Sequence, residues 1–537
     1  MPCLQTKPWI VQKFGGTSIG KFVPSMTDAI IPSYSRSHKV AVVCSARSGT
    51  SKSSGTTSLL LEAVRLATRG PHHQADFYNI VDTIRCEHLH AAEEAIAASA
   101  TDALTKAQQE IRKDCEWLRS FLSATAMLGE ISDRSTDRVL ALGETLACRV
   151  IAAALTSKGI PSRVITPENI VEDAYGERQT DLRSEFRKRP GSFLRGLTDT
   201  IRLKILSCED AVPVITGFFG AMPGSLIKEV SRGYSDLCAA LCAVALNAVQ
   251  LQIWKEVDGV FTADPRKIRD ARLLATITSE EAAELTYHGS EVIHPLTIEQ
   301  IDDAGIPLRL KNVTNPHGFG TIIYPSTNEV LSRPRYFQRP TNVIEHTTHS
   351  SSDKTGLMIS NGYYGPGHYR RRPTVVTSKD CIEILNIRSH GTVSRQTFLS
   401  RISACFEIHD ITIDLINSSQ QTLSVALHAP DSQSLEHCVS DLQEFGIVNL
   451  LKNLAIVSVI GHKIRNVVGI GAEIFNALAG AKINIYLISQ GASEINISIV
   501  VSAQDVQLAL EVVHEKVLGI PRHEEKENAF ARGPWLY

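Results

Sequence analysis

Trp9-Ile10-Val11, followed at once by Lys13-Phe14-Gly15-Gly16-Thr17-Ser18, is the stretch on which the reading of this chain turns. The apolar run predicts a first strand. A lysine, two glycines and two hydroxyls then arrive together where that strand should end. Glycines let backbone N–H groups close on an anion, hydroxyls add donors, and a lysine supplies a point charge for a phosphate. Ligands of open α/β sheets sit beyond the carboxyl ends of the strands, where this loop falls. The stretch is not a Walker A loop, because no glycine precedes the lysine at that spacing. The plain alternative is a tight glycine turn with a solvated lysine.

Outward from this point, β-rich runs alternate with helical stretches. Val40 to Cys44, Ser162 to Ile165, Val212 to Ile215, Leu251 to Trp254 and Leu308 to Val313 read as strands. Leu59 to Thr68, Val139 to Leu155 and Asp236 to Leu246 read as helices. Such alternation predicts an α/β fold with a largely parallel sheet covered on both faces. Residues 85 to 127 read as a helical insertion, and residues 326 to 379, polar and Ser-rich and then Gly-, Tyr- and Arg-rich, as a linker.

Beyond the linker the chain repeats itself. Ile411-Thr412-Ile413-Asp414-Leu415-Ile416 matches Ile483-Asn484-Ile485-Tyr486-Leu487-Ile488 at an offset of 72 positions. At the same offset Leu385 and Ile387 match Val457 and Val459, Ile402 and Phe406 match Ile474 and Leu478, and Val425 and Leu427 match Ile497 and Ile499. Each copy reads strand, helix, strand, strand, helix, spanning 380–450 and 452–530, and two such units would pair their sheets.

Composition bounds the function classes. With 537 residues, two to four domains are expected. A net charge of −2 gives no bulk field toward nucleic acid or an anionic membrane. The eleven cysteines form no CxxC pair, so neither a structural metal nor a disulfide framework is expected, and Cys238 and Cys242, one turn apart in an apolar segment, read as buried thiols. The N-terminus lacks an apolar signal core, so a reduced cytoplasmic compartment is expected.

The hexapeptide resembles the signature of the aspartokinases, and further segments carry the resemblance in order and spacing. They are Val42-Val43-Cys44-Ser45-Ala46, Leu142-Gly143-Glu144, Ile215-Thr216-Gly217-Phe218-Phe219-Gly220, Ser231-Arg232-Gly233-Tyr234-Ser235-Asp236, Trp254 to Arg266, and Gly289 to Pro295. Arg232-Gly233-Tyr234 and Trp254-Lys255-Glu256 look like the fungal branch. The resemblance implies a three-layer amino-acid-kinase domain over residues 1–325, followed by two tandem ACT units. It implies ATP-dependent phosphorylation of the β-carboxylate of L-aspartate, with Mg2+ arriving on the nucleotide, in a homo-oligomer that binds no nucleic acid and no membrane. A catalytically weak paralogue serving as an amino-acid sensor or partner subunit is the alternative. A duplicated copy serving a secondary-metabolite cluster of the fusaric acid type is expected by analogy alone.

The implied roles fall on individual residues. Lys13, Arg232 and Asp236 are the catalytic set. Ser45, Thr57, Glu144, Arg232 and Ser235 hold the amino acid, Arg232 as a bidentate fork for a carboxylate and the acids as anions for the ammonium. Lys13, Gly15, Gly16, Thr17, Ser18, Lys255, Glu256, Phe261 and Arg266 hold ATP. His294, before a proline, reads as a capping histidine. Departures matter as well. Ser231 replaces a glycine, and Thr145 replaces a lysine. The effector loop reads Arg395-Gln396-Thr397-Phe398-Leu399 where Ser-His-Gly-Phe-Leu is usual, and Gln420 stands in place of an acid, while Asp414 is retained. With Gln490 and Asn496 of the second unit, Thr397, Asp414 and Gln420 form the expected effector set. Weak binding of L-threonine is expected, since Thr397 adds a β-branched side chain and Gln420 removes a charge.

Overall fold

The computed structural model describes residues 7–49, 55–176, 179–220, 233–288, 293–326, 372–391, 394–462, 469–491 and 495–521, with 222, 225, 226, 230 and 464. Ser231, Arg232, most of the expected linker and part of Gly289 to Pro295 lie outside the described residues. The chain divides into two compact units.

The first unit is built on an eight-stranded sheet. Its strands are β1 (Trp9–Phe14), β2 (Lys39–Cys44), β3 (Ser162–Ile165), β4 (Val212–Thr216), β5 (Gln250–Lys255), β6 (Thr276–Thr278), β7 (Leu308–Asn312) and β8 (Thr321–Tyr324), in the order β3-β4-β2-β1-β5-β7-β8-β6. All neighbours from β3 to β7 run parallel, and the β7–β8 pair is antiparallel. β1 and β2 are buried along nearly their whole length, as Val- and Ile-rich parallel strands covered on both faces must be. Gln12 and Gln252 are nonetheless fully buried at the sheet centre. They survive there through an amide chain: Gln12 Nε2 donates to Gln252 Oε1 (3.0 Å), and Gln252 Nε2 to Gln250 Oε1 (2.9 Å).

Two long helices, Gln74–Ala95 and Thr101–Leu128, fill the place of the expected insertion, and the first starts eleven residues earlier than read (85 − 74). They share one apolar core with β1, β2 and the helix Asp133–Ser157. That last helix is capped by Ser132, whose hydroxyl accepts from Ser135 N–H. It is long and apolar enough to cross a membrane, but 83% of its apolar window is buried inside the protein, as befits a core helix.

The second unit holds a six-stranded antiparallel sheet of β9 (Val375–Ser389), β10 (Ile413–Ser418), β11 (Thr422–His428), β12 (Gly446–Ile460), β13 (Leu487–Ser489) and β14 (Asn496–Ser502), in the order β10-β11-β9-β12-β14-β13. Positions related by the repeat occupy matching strands and helices. Leu415 and Leu487 even meet in one apolar cluster with Ile384, Ile456, Ala426 and Val500.

β9 departs from the linear reading of the repeat. It starts at Val375, inside the stretch read as linker. Val375 to Lys379 pair with Ile456 to Ile460, whereas Ile382 to Arg388 pair with β11 and with the start of β12. The first repeat therefore closes its sheet with its own last residues, 446–451, whereas the second takes its fourth strand, Val375 to Lys379, from the segment that precedes the first repeat.

This unit also gathers residues 261–274 and 280–288. Val376 N donates to Thr262 O (2.9 Å), Thr262 Oγ1 meets His514 Nε2 (2.9 Å), and Thr374 Oγ1 donates to Glu281 Oε1 (2.7 Å).

Candidate functional site

The carboxyl ends of β1, β2, β4 and β5 converge with the start of the helix Tyr234–Ala245. Lys13, next to last in β1, reaches Asp236 in the first turn of that helix, with Nζ and Oδ1 2.6 Å apart and both side chains 8% exposed. Burial pushes the Asp236 carboxyl up, but the charges of Lys13 and Lys255 overcome that cost and hold it below its ordinary value. Asp236 is therefore a fixed anion, and it orients the lysine.

Glu144 lies buried beside this pair, on the helix Asp133–Ser157. Burial pushes its carboxyl up to about 8, against the pull of Phe218 N–H, the Tyr234 hydroxyl, the Lys13 charge and Ala46 N–H. Ser45 Oγ and Ser235 Oγ are 2.9 Å apart and tie the end of β2 to the same helix start. Thr57 is half-buried in the first turn of the helix Thr56–Thr68.

Backbone contacts explain the glycines. A Cβ on Gly16 would stand 2.5 Å from Ala46 O, one on Gly20 would stand 1.8 Å from Ser48 O, and one on Gly217 would stand 2.4 Å from Ser235 Cβ and 3.0 Å from Glu144 Oε1. These glycines let three loops close around the charged pair. The Gly15 N–H points toward Trp254 O at 3.4 Å. The Ser18 hydroxyl donates to Glu256 Oε1 (2.6 Å), so the first loop and the loop after β5 are bound to each other. Thr17 is half-buried beside it. Lys255 ends β5.

The expected set is thus only partly assembled. Lys13, Ser45, Glu144, Ser235 and Asp236 come together, and Ser18 and Glu256 are joined at the neighbouring strand ends. Arg232 lies outside the described residues. Phe261 and Arg266 belong to the second compact unit. There Phe261 bridges to Leu273, and the exposed Arg266 forks onto Asp264. His294 caps the helix Pro295–Asp303: its Nδ1 accepts from Leu296 N–H (3.2 Å), and its Nε2 faces Val230 O (2.8 Å).

Sequence reasoning passed over Tyr234 and the Phe218 amide, the donors that hold Glu144. Both stand inside motifs quoted above. Their pairing with Glu144 spans 90 and 74 positions, a relation that no local pattern carries.

In the second unit the expected effector residues are spread over both repeats. Thr397, on the first turn of the helix Arg395–Ile408, uses its amide and hydroxyl on the capping Ser394 Oγ (3.3 and 2.9 Å). Asp414 is paired with Lys379. Gln420 and Gln490 are exposed. Asn496 is buried, with its side-chain amide against Glu284 and 2.9 Å from His288 Nε2.

The chain is similar to known proteins along nearly its whole length. The amino acid kinase family is matched over residues 8–312 and the ACT domain over 457–517. The aspartokinase of Candida albicans is 41% identical over 522 residues, covering 96% of this chain and 90% of that protein. That of Schizosaccharomyces pombe is 40% identical over 537 residues, covering 99% and 98%. The aspartate kinase FUB3 of Gibberella moniliformis is 36% identical over 525 residues, covering 95% and 97%. Among solved structures, E. coli aspartokinase III in complex with aspartate and ADP shares the fold at a TM-score of 0.67 and 22% identity, covering 95% of this chain and 99% of that one.

Glu144 gives the site a pH signature. Its carboxyl ordinarily titrates near 4.5 and in the folded protein near 8. The stabilising contribution of its proton is complete below about 4.5 and is lost as pH rises through about 8. Between pH 5 and pH 9 the protein should lose on the order of a few kcal/mol relative to a Glu144→Gln variant. Urea unfolding of both proteins at the two pH values checks this, and parallel pH dependences would refute it.

Proposed function

The chain belongs to the aspartokinases of the amino acid kinase family, and we infer from this that it transfers the γ-phosphoryl group of ATP to the β-carboxylate of L-aspartate, giving 4-phospho-L-aspartate and ADP. The observation that carries the reading is the buried group of Lys13, Asp236 and Glu144, ringed by hydroxyls at the strand ends.

The acceptor carboxylate is already an anion at neutral pH, so no strong general base is needed. The task is to position two anions and to neutralise charge on the transferring group. Lys13 is the cation for that group, and Asp236 keeps it in place. Glu144 takes the substrate ammonium. Because its carboxyl titrates near 8, an arriving ammonium ionises it, and the ion pair forms where no water competes. Ser45, Ser235 and Thr57 supply hydroxyl donors, and Arg232 the fork for a substrate carboxylate. Lys255, Glu256, Ser18, Thr17 and the Gly15-Gly16 turn are assigned to the nucleotide, with Phe261 and Arg266. Mg2+ comes with the nucleotide phosphates, not from a protein cage.

Regulation is assigned to the repeat pair, with cytoplasmic residence and a homo-oligomer joined through residues 380 to 530. In support, Ile416 and Ile488 are repeat-related and exposed, and Tyr486 and Ile447 are exposed as well. L-Threonine is assigned as a weak effector. Thr397 and Asp414, expected at its site, already bind Ser394 and Lys379. The segment bearing Phe261 and Arg266 is bonded into the same unit, through Thr262, Val376 and His514.

Three outcomes are expected. In a coupled assay of ADP release with L-aspartate, Lys13→Ala should lower turnover by about 100-fold or more. Removing the lysine also leaves Asp236 buried and unpaired, so Lys13→Ala with Asp236→Ala should recover stability but not activity. Near-normal turnover in either variant would overturn the assignment. In an L-threonine titration, half-inhibition should lie above about 1 mM, and inhibition well below that would refute weak binding. Light scattering at micromolar concentration should show a dimer or larger, and a monomer alone would remove the assembly claim.

A further inference from the structure

Outside the site just described, four side chains of metal-binding type meet between two helices of the first repeat. Cys405 and His409 stand one turn apart at the end of the helix Arg395–Ile408. Cys438 and Asp441 stand three residues apart on the neighbouring helix Ser432–Leu442. The ligand atoms of Cys405, His409 and Asp441 all lie within 4.8 Å of one another. His409 Nε2 and Asp441 Oδ2 are 2.7 Å apart, and Cys438 Sγ lies 3.7 Å from Cys405 Sγ. None of these residues takes part in the chemistry proposed above.

We propose that Cys405, His409 and Asp441 bind a zinc-type divalent cation, and that the Cys438 thiol, which lies outside that close group, swings in as the fourth ligand and clamps the two helices together. Two thiolates on tetrahedral zinc, each at about 2.3 Å, stand roughly 3.8 Å apart. The observed sulfur separation already has that value, whereas a disulfide would need the sulfurs to close to about 2.05 Å. The donor set of two thiols, one imidazole and one carboxylate is of the type zinc prefers. Its layout suits ion entry. Both thiols are buried in the apolar core of the repeat, while the Asp441 side chain is 59% exposed and forms the open side. Binding would exchange the His409–Asp441 contact for two metal bonds and release both thiol protons to solvent. His409 also stacks on His437, with ring centroids 6.5 Å apart, which limits the swing of its ring.

The test uses the full chain, purified under reducing conditions and stripped of metal. Zinc is titrated against a chromophoric chelator, and Co2+ is substituted as a spectroscopic probe. One equivalent of zinc should bind, and the Co2+ form should show thiolate-to-cobalt charge transfer. Cys405→Ser and Cys438→Ser should each abolish that band. Because those two positions are in the core, Asp441→Asn at the exposed corner serves as the variant that leaves folding untouched, as circular dichroism would record. It should weaken zinc binding by about tenfold or more. Three results overturn the proposal: no bound equivalent, stoichiometry and spectrum unchanged in all three variants, or a Cys405–Cys438 disulfide found by mass in a protein that takes up no zinc.

Discussion

A lysine and an aspartate buried against each other set the terms for the first unit. Neither charge could be left alone in that environment without costing several kcal/mol, so the end of β1 and the start of the helix Tyr234–Ala245 must arrive together. Everything around the pair follows from that meeting. Gly16 and Gly20 have no side chain because the loops have to close to backbone contact, and Gly217 because the side chains of Ser235 and Glu144 crowd it. Glu144 is tied by its amide and hydroxyl donors, and Ser45 holds Ser235. The glycines that look at first like phosphate cradles are also the spacing elements that allow a charged site to be packed almost as tightly as a core.

The two carboxylates beside Lys13 have been given opposite characters by their surroundings. Asp236 faces two lysines and stays ionised, while Glu144 is pushed toward the neutral form. One is a permanent part of the scaffold, and the other changes charge when a cation arrives. A site that must hold an ammonium near a phosphoryl group gains from that division of labour, since the free protein then carries less uncompensated charge in its interior.

What could be read beforehand was what local chemistry controls. The Val- and Ile-rich runs at Val40, Val212 and Leu251 became parallel strands, because covered strands need continuous apolar character. Lys13, Glu144, Ser235 and Asp236 were legible because each stood in a polar motif between apolar runs. The hold of Tyr234 and Phe218 on Glu144 was not, since it joins three separate segments. Nor was the start of β9 at Val375, since a strand supplied to the second copy from ahead of the first leaves no mark in a repeat that reads linearly.

That borrowed strand has a consequence for how the chain can be made and altered. Val375 to Lys379 leave the ribosome before the first repeat, yet their partners, Ile456 to Ile460, emerge about 80 residues later. Those five residues must wait for their strand partners while the first repeat is synthesised, so the second copy completes its sheet only after the whole of the first has emerged. Recombination meets the same asymmetry. A cut between the copies leaves the first with all its strands but takes Val375 to Lys379 from the second. A lineage that duplicated this module can drift in sequence at its surface, but it cannot keep the second half without the strand that lies ahead of the first.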